Sequence, residues 1–378
     1  MNKTIWVINK YARIESAEGA GTRDFMILKE MAKLGNSCLL IMAGCAHPSE
    51  TQSRGSVNSA SGVAICQLKT LEYSNAKSLK RILSWFHFEW RLFTLSKKQF
   101  NNPDVVVASS LSLLSVLNGL MLRRKYKCKL VFEVRDIWPL TLTEEGGFSK
   151  HNPFIKMLGL IEKIGYQKAD IIVGTMPNLR GHVSNILGYE RDVFCIPMGV
   201  SEEQINFSRA LDLSYRKTFF QIDKVIVGYA GSIGITNALD VLFETARLLK
   251  GDQRIQFLVI GSGGLKDHYI KETADLNNVI FAPKIPKSMV STALSHCSML
   301  YFSTFKSKVW DYGQSLNKLI DYMLSGRPII GSYSGFPSMI NEAECGEFIP
   351  AEDAQALKAM ILRFADMSTE ERDVIGAR

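Results

Sequence analysis

Asp311 to Ile330 reads DYGQSLNKLIDYMLSGRPII, and its residue types and spacing suit an anion site. Ser315 is the expected N-cap, since its hydroxyl can accept a hydrogen bond from a free first-turn amide. A helix N-terminus carries free amides and about half a positive charge, which suits a phosphate. Lys318 in the first turn adds a full charge. Asp321, three residues on, can accept two hydrogen bonds from a ribose diol. The segment reads as half of a nucleotide-diphosphate site, with an ordinary amphipathic helix as the bland alternative.

The elements around it are legible. Leu316, Leu319, Ile320, Met323 and Leu324 fall on one buried face at helical spacing. Gly326 suits the left-handed position after the helix, Pro328 forbids continuation, and a strand begins at Ile329. Strand-like runs alternate with helix-like ones along the whole chain. In the first half they are residues 5–8, 37–42, 105–108, 130–134, 171–174 and 193–196; in the second they are 225–230, 256–260, 279–282, 299–302 and 329–331. Helices are expected between them, for example over residues 22–34 and 153–169. This rhythm predicts an α/β protein with two doubly wound, Rossmann-like domains of parallel sheet. The expected domains are residues 1–200 and 224–378, with 201–223 as a polar linker and the ligand in a cleft between facing domains. Ligands of such sheets bind beyond the carboxyl ends of the strands. Residues 52–62, rich in Ser, Gly and Asn, read as a mobile loop.

Three strand-then-glycine turns could bring backbone amides close to a phosphate or a base. They contain Gly19 and Gly21, then Gly231, Ser232 and Gly234, then Gly261, Ser262 and Gly263. The first lacks the full G-x-G-x-x-G spacing of a dinucleotide fingerprint. Arg135 and Asp136 follow a buried strand directly, where α/β enzymes keep catalytic groups; an Arg–Asp pair holding the loop is the structural alternative.

Bulk composition narrows the classes. At 378 residues, 46% hydrophobic and 22% charged, the chain suits two globular domains. Seven scattered cysteines without a C-x-x-C pair argue against a zinc or disulfide framework and fit a reducing cytoplasm. Six histidines show no ligand spacing, and D-x-D, H-E-x-x-H, G-x-S-x-G and Walker motifs are missing, so no metal site is expected. The chain moves directly into a strand with no signal peptide, and no apolar run nears the roughly 20 residues that span a bilayer. Residues 1–205 hold 26 Lys and Arg against 18 Asp and Glu, which is the whole net charge of +8, while residues 206–378 hold 19 of each. A basic first half calls for an anionic partner. Lys77 to Phe100 places Leu79, Ile82, Leu83, Phe86, Trp90 and Phe93 on one helical face among six cations, with Glu89 the only acid. That suits either a membrane-lying helix or a core helix with a solvated basic face. Nucleic-acid binding could also explain the charge, but no recognised motif supports it.

The segments VRDIWP, IPMGV, YAGSIG, IGSGG and YGQSLNKLIDYMLSGRPII, in this order, resemble glycosyltransferase family 4, the retaining enzymes of GT-B fold. The likeness runs over nearly the whole chain and is nearest to bacterial O-antigen and capsule transferases of the N-acetyl-L-fucosamine type. It implies transfer from a nucleotide sugar with retention of configuration and without metal or other cofactor. Asp321 would then bind ribose. Gly231, Ser232, Gly234, Asn317 and Lys318 would surround the diphosphate, with Lys287 a second cation. Gly261, Ser262 and Gly263 would lie near the uracil of UDP, and Gly19 and Gly21 would face the diphosphate from the first domain. The implied acceptor is a lipid-pyrophosphate-linked sugar at the inner face of the bacterial inner membrane, reached from the cytoplasm.

The chain departs from that family at named positions. Gly313 stands where the first glutamate of E-x7-E grips sugar hydroxyls. Arg135 stands where many members have a histidine, which suggests a 6-deoxy donor or one with a C6 carboxylate. The usual Arg and Lys after YAGSIG are missing, which leaves Lys318 as the principal diphosphate cation. The ending at Ile375-Gly376-Ala377-Arg378 lacks the family's returning helix, so a truncated chain is expected. A nucleotide-sugar 2-epimerase on the same fold would need cleft histidines and acids. A non-catalytic nucleotide-sugar-binding module at a membrane surface would fit the missing glutamate.

Overall fold

The computed structural model describes residues 2–15, 21–44, 56–72, 79–202, 205, 209–221 and 223–378. They fall into two compact units, Met1–Pro197 and Met198–Arg378.

The first unit is built on eight strands: β1 (Thr4–Ile8), β2 (Ser37–Gly44), β3 (Ser56–Ala60), β4 (Val63–Lys69), β5 (Val105–Ser109), β6 (Lys129–Val134), β7 (Ile171–Gly174) and β8 (Val193–Cys195). Their order is β3-β4-β2-β1-β5-β6-β7-β8, and only β3–β4 is antiparallel. The central strands are nearly continuous apolar runs because helices cover both faces. The expected loop over 52–62 is corrected: residues 56–60 form β3. Ser61 and Gly62, at φ 51° and 81°, make the two-residue hairpin turn into β4. Positive φ at both turn positions matches the twist of a hairpin, and glycine accepts it readily.

The second unit carries β9 (Val225–Ala230), β10 (Ile255–Ile260), β11 (Val279–Ala282), β12 (Met299–Ser303), β13 (Ile329–Ser332) and β14 (Gly346–Ile349). Their order is β11-β10-β9-β12-β13-β14, all parallel. Part of the expected linker belongs to this unit. Leu211 and Phe220 enter its core, and between them lies the helix Leu213–Phe219, capped by the Asp212 carboxylate on the Ser214 and Tyr215 amides.

The helix Leu79–Thr94 divides its apolar residues between two faces. Trp85, Phe88 and Leu92 are buried, while Leu83, Phe86, Trp90 and Phe93 face outward. Glu89 faces inward rather than toward solvent. It accepts from Ser112 Oγ (3.0 Å), Ser115 Oγ (2.6 Å) and Asn118 Nδ2 (2.7 Å), and burial pushes its carboxyl up to about 7. Lys97 turns back to cap the helix, donating to the carbonyls of Leu92 (2.7 Å) and Leu95 (3.1 Å).

Two buried ion pairs knit the carboxyl edge of the first sheet. Arg23 opens the helix Arg23–Lys33 and pairs with Glu133 at the end of β6, the two side chains being 5% and 7% exposed. The same guanidinium donates to the carbonyls of Ile196 (2.9 Å) and Pro197 (3.4 Å). Asp24 accepts from Asn9 Nδ2 (2.6 Å) and Arg135 Nη1 (3.0 Å). Breaking a buried pair from one side strands a charge. Arg23→Met should therefore lower unfolding free energy by about 3–5 kcal/mol in denaturant melts, and adding Glu133→Gln should recover most of it. Glu89 makes a separate prediction. Its folded pKa of about 7 lies above the ordinary 4.5, so the native state keeps a proton that the unfolded chain releases. Stability from this group is present below about pH 4.5 and lost as pH rises through 7. Glu89→Gln should flatten that slope in melts across this range.

Candidate functional site

Strand order in the second sheet reverses between β9 and β12, and such a switch point opens a crevice at the carboxyl ends of the strands. Polar groups gather there. Lys318, the first residue of the helix Lys318–Leu324, donates to Asn237 Oδ1 and to the Tyr229 hydroxyl (3.4 Å). Its ammonium lies 4.9 Å from the centre of the Tyr229 ring. Burial alone lowers its pKa to about 8, and no carboxylate pairs with it among the described residues. Asn237 is held in turn: Ser303 Oγ donates to its carbonyl (2.7 Å), and its amide reaches Ser232 Oγ (3.5 Å).

Tyr322 fixes this helix to the sheet. Its hydroxyl accepts from the Ala230 amide (3.0 Å) and lies within donating reach of the carbonyls of Ala230 (3.2 Å) and Tyr301 (3.1 Å). The expected apolar face holds at Leu319, whereas Leu324 is exposed and Tyr322 supplies the deepest contact. The Ser315 cap is corrected. Helical geometry starts at Lys318, Asn317 occupies the preceding position without a capping side-chain bond, and the helix has seven residues. A helix this short and uncapped does not bear out the expected cap, and the cation Lys318 is what stands at its start. Gly326 takes the left-handed conformation expected of it, at φ 66°.

The two glycine turns of this unit are stitched together. The Gly231 amide donates to Ile260 O (3.1 Å), and the Ile233 amide donates to Ser262 O (3.0 Å). Gly261 adopts φ 155°, and a Cβ there would stand 1.9 Å from Gly231 O; one on Gly263 would stand 2.1 Å from Ile233 O. Only glycine permits this approach. Gly234 opens toward free space. Asp321 pairs with Lys287, and burial raises its carboxyl above the usual range.

In the first unit, the charge of Arg135 is answered by Asp24 and not by Asp136. Asp136 is committed to its own loop, its two oxygens accepting from Trp138 Nε1 (2.8 Å) and Thr141 Oγ1 (2.6 Å). Gly21, at φ 84°, packs against the Arg13 carbonyl, and Gly19 lies outside the described residues. A basic pocket of about 330 Å³ lies among Arg123, Arg124, Lys127 and Lys129, at the amino end of β6. Asp170 already bonds Arg123 and Lys129 there.

Tyr229, Asn237 and Tyr322 escaped the sequence reading. Tyr229 sits in the YAGSIG segment and Tyr322 beside Asp321, so both were within reach of it. Asn237 carries no local signal, since only the fold brings it to Lys318.

Residues 224–366 match the family model described as glycosyl transferases group 1. No curated protein matches the chain in sequence. Among solved structures, it is similar to sucrose-phosphate synthase from Thermosynechococcus elongatus at 16% identity and TM-score 0.73, over 99% of this chain and 92% of that one. Anabaena HepE in complex with UDP and glucose aligns over 100% of this chain and 93% of that one, at 12% identity and TM-score 0.64. The α,α-trehalose 6-phosphate synthase of Burkholderia multivorans aligns over 100% and 91%, at 12% identity and TM-score 0.72. At these identities the likeness is one of fold. The two Rossmann-like sheets are of the GT-B type, and the second unit carries a segment that matches the group 1 glycosyl transferases.

Proposed function

We propose that this chain moves a sugar from a UDP-sugar to an acceptor hydroxyl with retention of configuration and without a metal ion. The observation that carries the reading is Lys318, a half-buried ammonium with no carboxylate partner among the described residues, at the switch point of a sheet inside the matched segment. Such a cation is stabilised by an anionic ligand, and a diphosphate is the anion a nucleotide sugar brings. The UDP seen in Anabaena HepE supports the choice of nucleotide. In the reaction, the bond from the sugar's anomeric carbon to the diphosphate breaks. The acceptor oxygen bonds to the same face, and its proton passes to the departing diphosphate. No side-chain nucleophile is required. The protein orients the partners and stabilises charge on the leaving group. Lys318 supplies that charge, and Asp321, after giving up Lys287, would accept the ribose hydroxyls.

The acceptor we propose is a lipid-pyrophosphate-linked saccharide on the inner face of a bacterial inner membrane, in surface polysaccharide synthesis. Among the described residues no helix is long and apolar enough to cross a membrane. What supports surface binding is the outward stripe Leu83, Phe86, Trp90 and Phe93, with Trp90 63% exposed and the cations Lys80 and Lys98 nearby in the chain. Apolar side chains ringed by cations suit the boundary of an anionic bilayer.

Ligand binding, melting and vesicle sedimentation test these readings. UDP should raise the melting temperature without added metal and in the presence of a chelator. Lys318→Met should weaken UDP by about 2–4 kcal/mol, on the order of 30- to 1000-fold. The free variant should melt on the order of a few degrees higher below pH 8. The folded pKa of Lys318, about 8, lies below the ordinary 10.5, so its burial penalty is present below pH 8 and is relieved as pH rises toward 10.5. The variant's advantage should fade over the same range. Unchanged UDP affinity would remove Lys318 from the diphosphate role. For the surface, vesicles rich in phosphatidylglycerol should sediment the protein at low salt, and Trp90→Ser with Phe93→Ser should abolish this. Failure of wild type to sediment would end the membrane reading.

A further inference from the structure

Among the described residues, four polar side chains of the second unit hold a buried atom without a hydrogen-bond partner, Asn278, Tyr301, Thr304 and Gln314, and the last two stand on the connection that follows β12. Gln314 is 5% exposed, and neither its Oε1 nor its Nε2 has a partner among the described residues. Thr304 is 2% exposed, and its Oγ1 likewise has none. Buried polar groups are nearly always paired, so an orphaned pair of this kind calls for an explanation. Both lie on the connection from β12 to the helix Lys318–Leu324. Thr304 directly follows Ser303, which holds Asn237, the partner of Lys318. Gln314 stands four residues before Lys318. It follows Gly313, whose backbone at φ 102° is closed to most other residues, so the chain is bent there in a way a glutamate would resist.

We infer that Gln314 and Thr304 recognise hydroxyl groups of the sugar carried by the nucleotide. The inference rests on the reading of this unit as a nucleotide-sugar site and adds the part of the donor that these residues read. A carboxamide offers two donors and an acceptor, and a threonine hydroxyl can play either role. A sugar hydroxyl, itself donor and acceptor, satisfies both. A carboxylate or phosphate only accepts, so it would leave the Gln314 carbonyl facing lone pairs. The pair therefore selects a neutral, hydroxyl-bearing face of the sugar, while the diphosphate is left to Lys318. Sites built to bond a hydroxyl discriminate strongly against analogues that lack it.

The test is calorimetric binding of UDP, UDP-glucose, UDP-galactose and UDP-N-acetylglucosamine to the full chain and to Gln314→Leu and Thr304→Val. Wild type should bind one UDP-sugar at least tenfold more tightly than UDP. Each variant should lose most of that increment while its UDP affinity stays within twofold. Gln314→Leu should melt no lower than wild type, because it removes an unpaired amide from a buried site. An increment retained in both variants would overturn the inference, as would a wild type that binds no UDP-sugar better than UDP. Joint loss of UDP affinity and melting temperature would assign Gln314 to packing instead and would also overturn it. A wild type that does not bind UDP at all would overturn the nucleotide-sugar reading itself, and this inference with it.

Discussion

An ammonium removed from water must find a negative partner or lose part of its charge. Lys318 has found none among the described residues of its own unit, and burial lowers its pKa to about 8. Most buried charges of this chain are treated otherwise: Arg23 has Glu133, Arg135 has Asp24, and Asp321 has Lys287. The contrast is what gives Lys318 its meaning. Lys97, whose pKa also falls to about 8, is spent on the backbone carbonyls that end its helix, whereas Lys318 is held, among the described residues, only by the side chains of Asn237 and Tyr229 at the switch point.

The architecture around it makes that cost bearable. Tyr322 ties the short helix to the ends of β9 and β12, so the ammonium cannot swing out to bulk water without moving the helix. Gly261 and Gly263 let two turns approach more closely than any side chain would allow. Gln314 and Thr304, on the connection from β12 to the helix at Lys318, remain without partners among the described residues.

Much of this was legible in the sequence, for physical reasons. Strands of a doubly wound sheet are buried on both sides, so runs such as Val225–Ala230 and Met299–Ser303 stand out as apolar blocks, and the helices between them follow. Gly326 and Pro328 announced the end of the helix at Lys318, and Lys318 itself stood out in the sequence as a cation in the helix's first turn. The helix start was misread because a serine three residues ahead of a lysine is also a common turn. The hairpin of β3 and β4 was missed because polar Ser and Asn in β3 outweighed the alternation of Val63 and Ile65. Arg135 and Asp136 were read as an adjacent pair, yet their partners, Asp24 and Trp138 with Thr141, are chosen by tertiary packing. Asn237 was invisible for the same reason.

The most direct test is proton linkage of UDP binding. Titrations of UDP at about pH 8.5, repeated in buffers of different ionisation enthalpy, report protons taken up on binding. If Lys318 meets the diphosphate, the anion restores its pKa, and wild type should take up a substantial fraction of a proton that Lys318→Met does not. UDP that binds with equal proton uptake in both proteins, or with none in either, would contradict the claim that this lysine receives the diphosphate.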